Sequence, residues 1–132
     1  MRVRGHHPPT IAYRKAMMVA NQQHIAEMRA LLSGEISHPD DIQMHADALA
    51  DWGWMLAGLF PEGSAGPTSR TMEDAWTMEE DFAARVKAFR DATWALKTTA
   101  EEGDNAATLA AVTAVNGTCR GCHTPFRKPA TP

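Results

Sequence analysis

Residues 116–129 read NGTCRGCHTPFRKP and hold both cysteines of the chain, Cys119 and Cys122, with His123 directly after the second. On a helix these three side chains fall at i, i+3 and i+4 and project from one face. Two thiols so placed can add to the two vinyl groups of a haem while the imidazole reaches the iron, which is the pattern of c-type attachment. Two other chemistries use Cys-x-x-Cys. A redox dithiol expects strands alternating with helices, and a structural zinc site expects four ligands, usually from two such knuckles. The chain has no third cysteine, and His6, His7, His24, His38 and His45 show no i, i+4 pairing that could complete a zinc set. Haem attachment is the favoured reading, with thiol redox and zinc as the alternatives.

The remainder of the chain supplies the setting. Its 132 residues make one domain, 1–132, and a 44% hydrophobic share is enough for a core. A formal charge of -3 argues against nucleic acid as a partner, which usually requires a basic stripe. No apolar run is long enough to insert in a membrane. Val and Ile are sparse and do not alternate, whereas Ala, Leu, Met, Glu and Lys dominate, so the chain reads as all-α.

Caps and breakers bound four helices, at about 10–33, 39–60, 77–102 and 104–124. Thr10 after Pro8-Pro9 is the expected first cap, and Gly34 the first stop. Ile11, Met18, Ile25 and Leu32, joined by Met28, form an apolar seam on the first helix. Ser37 or His38 caps the second, and LFPEGSAGP ends it. A short helical turn is expected at MEDAW, and Thr77 to Glu80 reads as a capping box for the third. Gly103 ends the third helix and Asp104 caps the fourth. Short connections, except between the second and third helices, describe an antiparallel up-down four-helix bundle. The basic opening MRVRGHHPPT lacks an apolar segment and reads as a mature end rather than a secretory signal.

An attachment motif on the last helix of such a bundle, close to the C-terminus, resembles the cytochrome c′ family, also called class II cytochromes c. The similarity runs through YRKAMM, LFPEGS, DAWTMEEDF and NGTCRGCHTPFRK, in that order. It implies one haem c bound through Cys119 and Cys122, with His123 as proximal iron ligand. In the family pattern Tyr-Arg-x-x-x-Z, the last position faces the other side of the iron. Here Met18 occupies it, implying a six-coordinate, low-spin iron, and the seam places Met18 inward as well. Met17, about 100° away, is the substitute ligand, and an empty sixth position the third outcome.

Arg14 lies one turn before Met18. An arginine among seam positions needs an anion, and a haem propionate offers one in forked geometry; the resemblance places the family's arginine here too. Arg127 corresponds to a basic residue the family keeps near the proximal histidine. Pro125 departs from the family pattern, in which alanine or an acidic residue is more usual. It takes a donor away from the carbonyl of Gly121, so the helix is expected to kink or end just after His123. That puts in question the placement of Arg127, the cofactor-binding residue the resemblance implies. Trp52 and Trp54 stand about 200° apart, so one packs inward while the other faces outward, toward a subunit contact or solvent. The resemblance implies dimerisation through helices one and two, and Phe60 or Trp76 lining the haem pocket.

These features predict a non-enzymatic periplasmic electron carrier with His123 and Met18 as axial ligands and redox proteins as partners. The periplasmic location follows from thioether haem being fitted to an unfolded chain outside the bacterial cytoplasm. The alternative is a five-coordinate, high-spin protein that binds nitric oxide or carbon monoxide.

Overall fold

In the computed structural model, which describes residues 7–129, helix α1 runs Pro8–Leu32. The basic opening segment with His6 lies outside the described residues. Pro8 and Pro9 form the first turn, where their missing N–H groups would lack intrahelical partners anyway, so Thr10 is inside the helix rather than its cap. The buried face comprises Ile11, Arg14, Met17, Asn21, Ile25, Met28 and Leu31. At about 100° per residue this arc is centred near Arg14 and Asn21, which brings Met17 closer to its middle than Met18. Met18 and Leu32, expected on the seam, are half-buried instead. Gly34, at φ 83°, takes the left-handed conformation that ends the helix.

Helix α2 (Asp41–Met55) starts behind Asp40 with no side-chain cap, and His38 contributes only its carbonyl, which accepts from Asp41 N at 3.0 Å. The expected helical run to residue 60 tightens after Met55 into a 3₁₀ turn, Leu56–Leu59. The anticipated turn at MEDAW is α3 (Asp74–Thr77). Thr77 therefore belongs to α3, Met78 takes the cap position of α4 (Glu79–Glu101), and the capping box does not form. Glu79, Glu80 and Asp81 still place negative charge in the first turn, where it complements the helix dipole. Helix α5 (Asn105–Phe126) has the predicted cap, with the Asp104 carboxylate accepting from Ala107 N at 3.0 Å.

The four long helices form a ring, α1 beside α2 and α5, and α4 beside α2 and α5. This is the all-α, antiparallel four-helix bundle expected, and the described residues include no strand beyond one isolated bridge between Thr71 and Arg127. Met28, Leu49, Leu96, Val112 and Val115 are fully buried along its axis. Helices α2 and α4 approach closely at Gly53, where a Cβ would fall on Thr93 Oγ1 and within 3.2 Å of Arg90 Cα. The tryptophans part as their spacing requires. Trp52 packs against the core and Tyr13, whereas Trp54 is exposed under the Arg90 guanidinium, on the side facing α4.

Candidate haem site

The residues singled out in the sequence gather at one end of the bundle, where the start of α1 meets the end of α5. Loop 59–73 closes this end, and an aromatic cluster fills it. Phe82 stands edge-on to Phe60 and to Phe126, with centroids 4.9 and 5.1 Å apart, and Trp76 Nε1 donates to the carbonyl of Phe60 at 2.9 Å. Phe82 and Phe89 are buried as core, while Phe60 and Trp76 are half-buried beside them.

Cys119, Cys122 and His123 lie on α5, all half-buried, and both thiols pack against the hydrophobic core. Burial, which disfavours the thiolate, raises the pKa of Cys119 and pushes that of Cys122 up to about 11. These thiols are held neutral, unlike those of a redox dithiol, whose attacking thiol is acidic. The imidazole of His123 is biased toward its neutral, ligating form by burial and then by the positive charges of Arg127 and Arg70.

Pro125 does not end α5, which continues to Phe126. The carbonyl of Gly121, deprived of its backbone donor, accepts instead from Arg85 Nη1 of α4 at 3.0 Å. The last turn then closes with Arg127 N donating to His123 O at 3.1 Å. Beyond it, Met72 N donates to Phe126 O at 2.8 Å, Lys128 N to Arg70 O at 2.6 Å and Arg70 Nε to Lys128 O at 2.8 Å. These bonds hold the backbone around Arg127, whose Nη1 lies 3.4 Å from His123 Nδ1. Nδ1 thus faces a cation, and Nε2 is the nitrogen left for a metal. Arg85 was missed at the sequence level because nothing in α4 marks it; only the packing of α4 on α5 brings it to Gly121.

Arg14 is 3% exposed. Its Nη1 donates to Leu59 O and Ser64 Oγ at 2.9 and 2.8 Å, its Nη2 to Ser64 O and Ser69 Oγ, both at 2.8 Å, and its guanidinium lies 4.6 Å over the Phe60 ring. The fork expected to grip a propionate therefore holds loop 59–69. Every one of these acceptors is neutral, and desolvation lowers the arginine's pKa. Among the described residues no carboxylate pairs with this buried charge. An anionic group entering this end would meet an uncompensated cation. Two thiols and an imidazole on one helical face, with a buried unpaired cation at the same end, fit a haem carrying two propionates.

Fold and site together define a c-type haem protein built on a four-helix bundle. The family model described as cytochrome C′ matches residues 9–127, and the chain belongs to the cytochrome c′ family. A cytochrome c′ of Pararhodospirillum photometricum is 34% identical over 120 residues, covering 89% of this chain and 95% of its own. The bundle superposes on a nitric oxide complex of a point mutant of cytochrome c prime from Alcaligenes xylosoxidans with a TM-score of 0.82 at 22% identity, covering 91% and 94% of the two chains. It also superposes, at 0.84 and 21% identity with 92% and 95% covered, on a cytochrome c′ described as having an unusual ligand-controlled dimer dissociation. The cofactor is accordingly one haem c, attached through Cys119 and Cys122.

These relatives overturn the low-spin electron carrier ligated by His123 and Met18: they are cytochromes c′, and a solved neighbour carries nitric oxide. Along α1, Met17 is 1% exposed and packs in the core, whereas Met18 is half-buried at the edge of the buried arc. No helix among the described residues is long and apolar enough to cross a membrane.

Proposed function

We propose that this chain is a gas-binding haem protein whose iron is five-coordinate and high-spin at rest, taking nitric oxide or carbon monoxide at the open sixth position. The observation that carries this reading is membership of the cytochrome c′ family together with the nitric oxide complex of a fold neighbour. When bound, the haem supplies a ferrous iron able to coordinate a diatomic ligand.

In this reading the thiols of Cys119 and Cys122 anchor the group and His123 Nε2 is the proximal ligand. Arg127 supports a weak proximal bond. Metal-ligating histidines usually give their other nitrogen to a carboxylate or carbonyl, which raises imidazole basicity. His123 Nδ1 faces a guanidinium instead, which draws electron density away from the ring. Arg14 places a buried positive charge where the propionates would enter, and it holds the loop that closes the site. Met18 borders the distal face without ligating it at rest.

Thioether haem chemistry supports a periplasmic location. Exposed Val19 and Met44 on α1 and α2 support a homodimer through those helices, and the cytochrome c′ with ligand-controlled dimer dissociation offers a precedent.

Optical spectroscopy tests the assignment. The ferrous protein is expected to show a broad high-spin spectrum and rapid, saturable carbon monoxide binding. Sharply split low-spin bands, with carbon monoxide entering only after slow displacement of a protein ligand, would overturn it.

A further inference from the structure

Away from the haem end, α1 and α2 bring together three potential ligands that sequence spacing does not pair. His24 and Glu27 are i and i+3 on α1 and share a face. His45 comes from α2 across the helix interface. His24 Nδ1 lies 2.8 Å from His45 Nδ1, the rings meet edge to face with centroids 5.1 Å apart, and Glu27 Oε1 lies 3.8 Å from His45 Nδ1. One donor atom from each residue falls within 4.8 Å of the other two. The imidazoles are half-buried, and the Glu27 side chain is 54% exposed.

We infer that His24, Glu27 and His45 form a surface site for a divalent transition-metal ion of the zinc class, with water completing the coordination. Imidazole and carboxylate together suit zinc and its borderline neighbours better than calcium or magnesium, which take oxygen ligands. Three protein ligands with an open position form a recognised zinc arrangement. Two nitrogens on one tetrahedral zinc stand about 3.3 Å apart, given Zn–N bonds of about 2.0–2.1 Å. The observed pair must therefore open by only about half an ångström, and the exposed Glu27 can rotate inward.

The hydrogen-bonded state is the metal-free form of the same site. One imidazole then donates its Nδ1 proton to the other; ion binding shifts that proton to Nε2 through water, so two neutral rings release no net proton. Among the described residues Glu27 has no ion-pair partner other than His45.

The test is calorimetric titration of zinc into tag-free, chelator-washed holo-protein, with zinc X-ray absorption on the saturated sample. One saturable site with two imidazoles in the zinc shell is expected, and the haem spectrum should not change. His45→Gln keeps an acceptor for His24 but removes a ligand, and should weaken binding on the order of tenfold or more. Glu27→Gln should weaken it by a smaller factor. Absence of saturable binding would overturn the inference, as would unchanged affinity in a His24→Ala/His45→Gln variant that retains the wild-type circular dichroism and haem spectrum.

Discussion

Replacing Arg85 tests how α5 tolerates a proline beside its haem ligand. Pro125 leaves the Gly121 carbonyl, which lies between the two attached cysteines, without a backbone donor, and Arg85 Nη1 provides one at 3.0 Å. Arg85→Ala would orphan that carbonyl. An unsatisfied buried acceptor costs about 1–3 kcal/mol, and because Gly121 is only half-buried the lower end, about 1 kcal/mol, is expected. Arg85 also approaches Asp81 at 3.4 Å, but these side chains are 43% and 41% exposed, so that pair contributes at most a few tenths of a kcal/mol. The melting temperature should fall by about 3–5 °C.

In a Pro125→Ala background residue 125 regains its N–H and can satisfy Gly121 itself. Arg85→Ala should then cost only a few tenths of a kcal/mol, giving a coupling energy of roughly 0.7–1 kcal/mol between positions 85 and 125. Urea unfolding of the ferric holo-protein, followed by far-ultraviolet circular dichroism, measures all four corners of the cycle, with Asp81→Asn isolating the ion pair. Equal losses in the two backgrounds would refute the reasoning, because Arg85 would then act independently of the carbonyl that proline exposes.

Gly53→Ala should destabilise the protein by about 1–3 kcal/mol through overpacking of α2 against α4, read as a lower urea midpoint with the haem spectrum retained. Arg14→Met removes four hydrogen bonds from loop 59–69 and should cost about 3 kcal/mol or more; limited proteolysis should find new cleavage within that loop. Arg127→Gln removes the cation facing His123 Nδ1, so the iron–histidine stretch of the ferrous protein should move to higher frequency in resonance Raman spectra; an unchanged stretch would show that the 3.4 Å approach has no electronic effect on the proximal bond.

The helical reading was available from composition and breakers, because Gly34, Gly103 and Asp104 act through local backbone chemistry that neighbours hardly alter. Expected caps failed where a local rule met a different local rule: Pro8-Pro9 began α1 before Thr10 could cap it, and α3 took up Thr77. The motif Cys119, Cys122 and His123 was legible for the same reason, since i, i+3 and i+4 are contacts within one helix. The seam read from the sequence put Met18 inward and Met17 about 100° away, whereas the structure buries Met17 and leaves Met18 half-buried. Both fit a seam of three- and four-residue steps, and only the packing of α1 on its two neighbours fixed which faced the core.

Everything that depended on a second helix or on a loop lay beyond the sequence. The fork of Arg14 grips residues 45 to 55 positions away in the chain. Arg85 answers for Pro125 by reaching the carbonyl of Gly121, 36 residues away, and α5 runs on as a helix that keeps Arg127 beside His123. His24 and His45, unpaired by spacing, meet at 2.8 Å. The sequence by itself determined the helices and the haem-bearing motif, because hydrogen bonds and side-chain periodicity within one segment set them. The tertiary structure decided which groups surround that motif, because buried charges and orphaned carbonyls take partners wherever packing brings them.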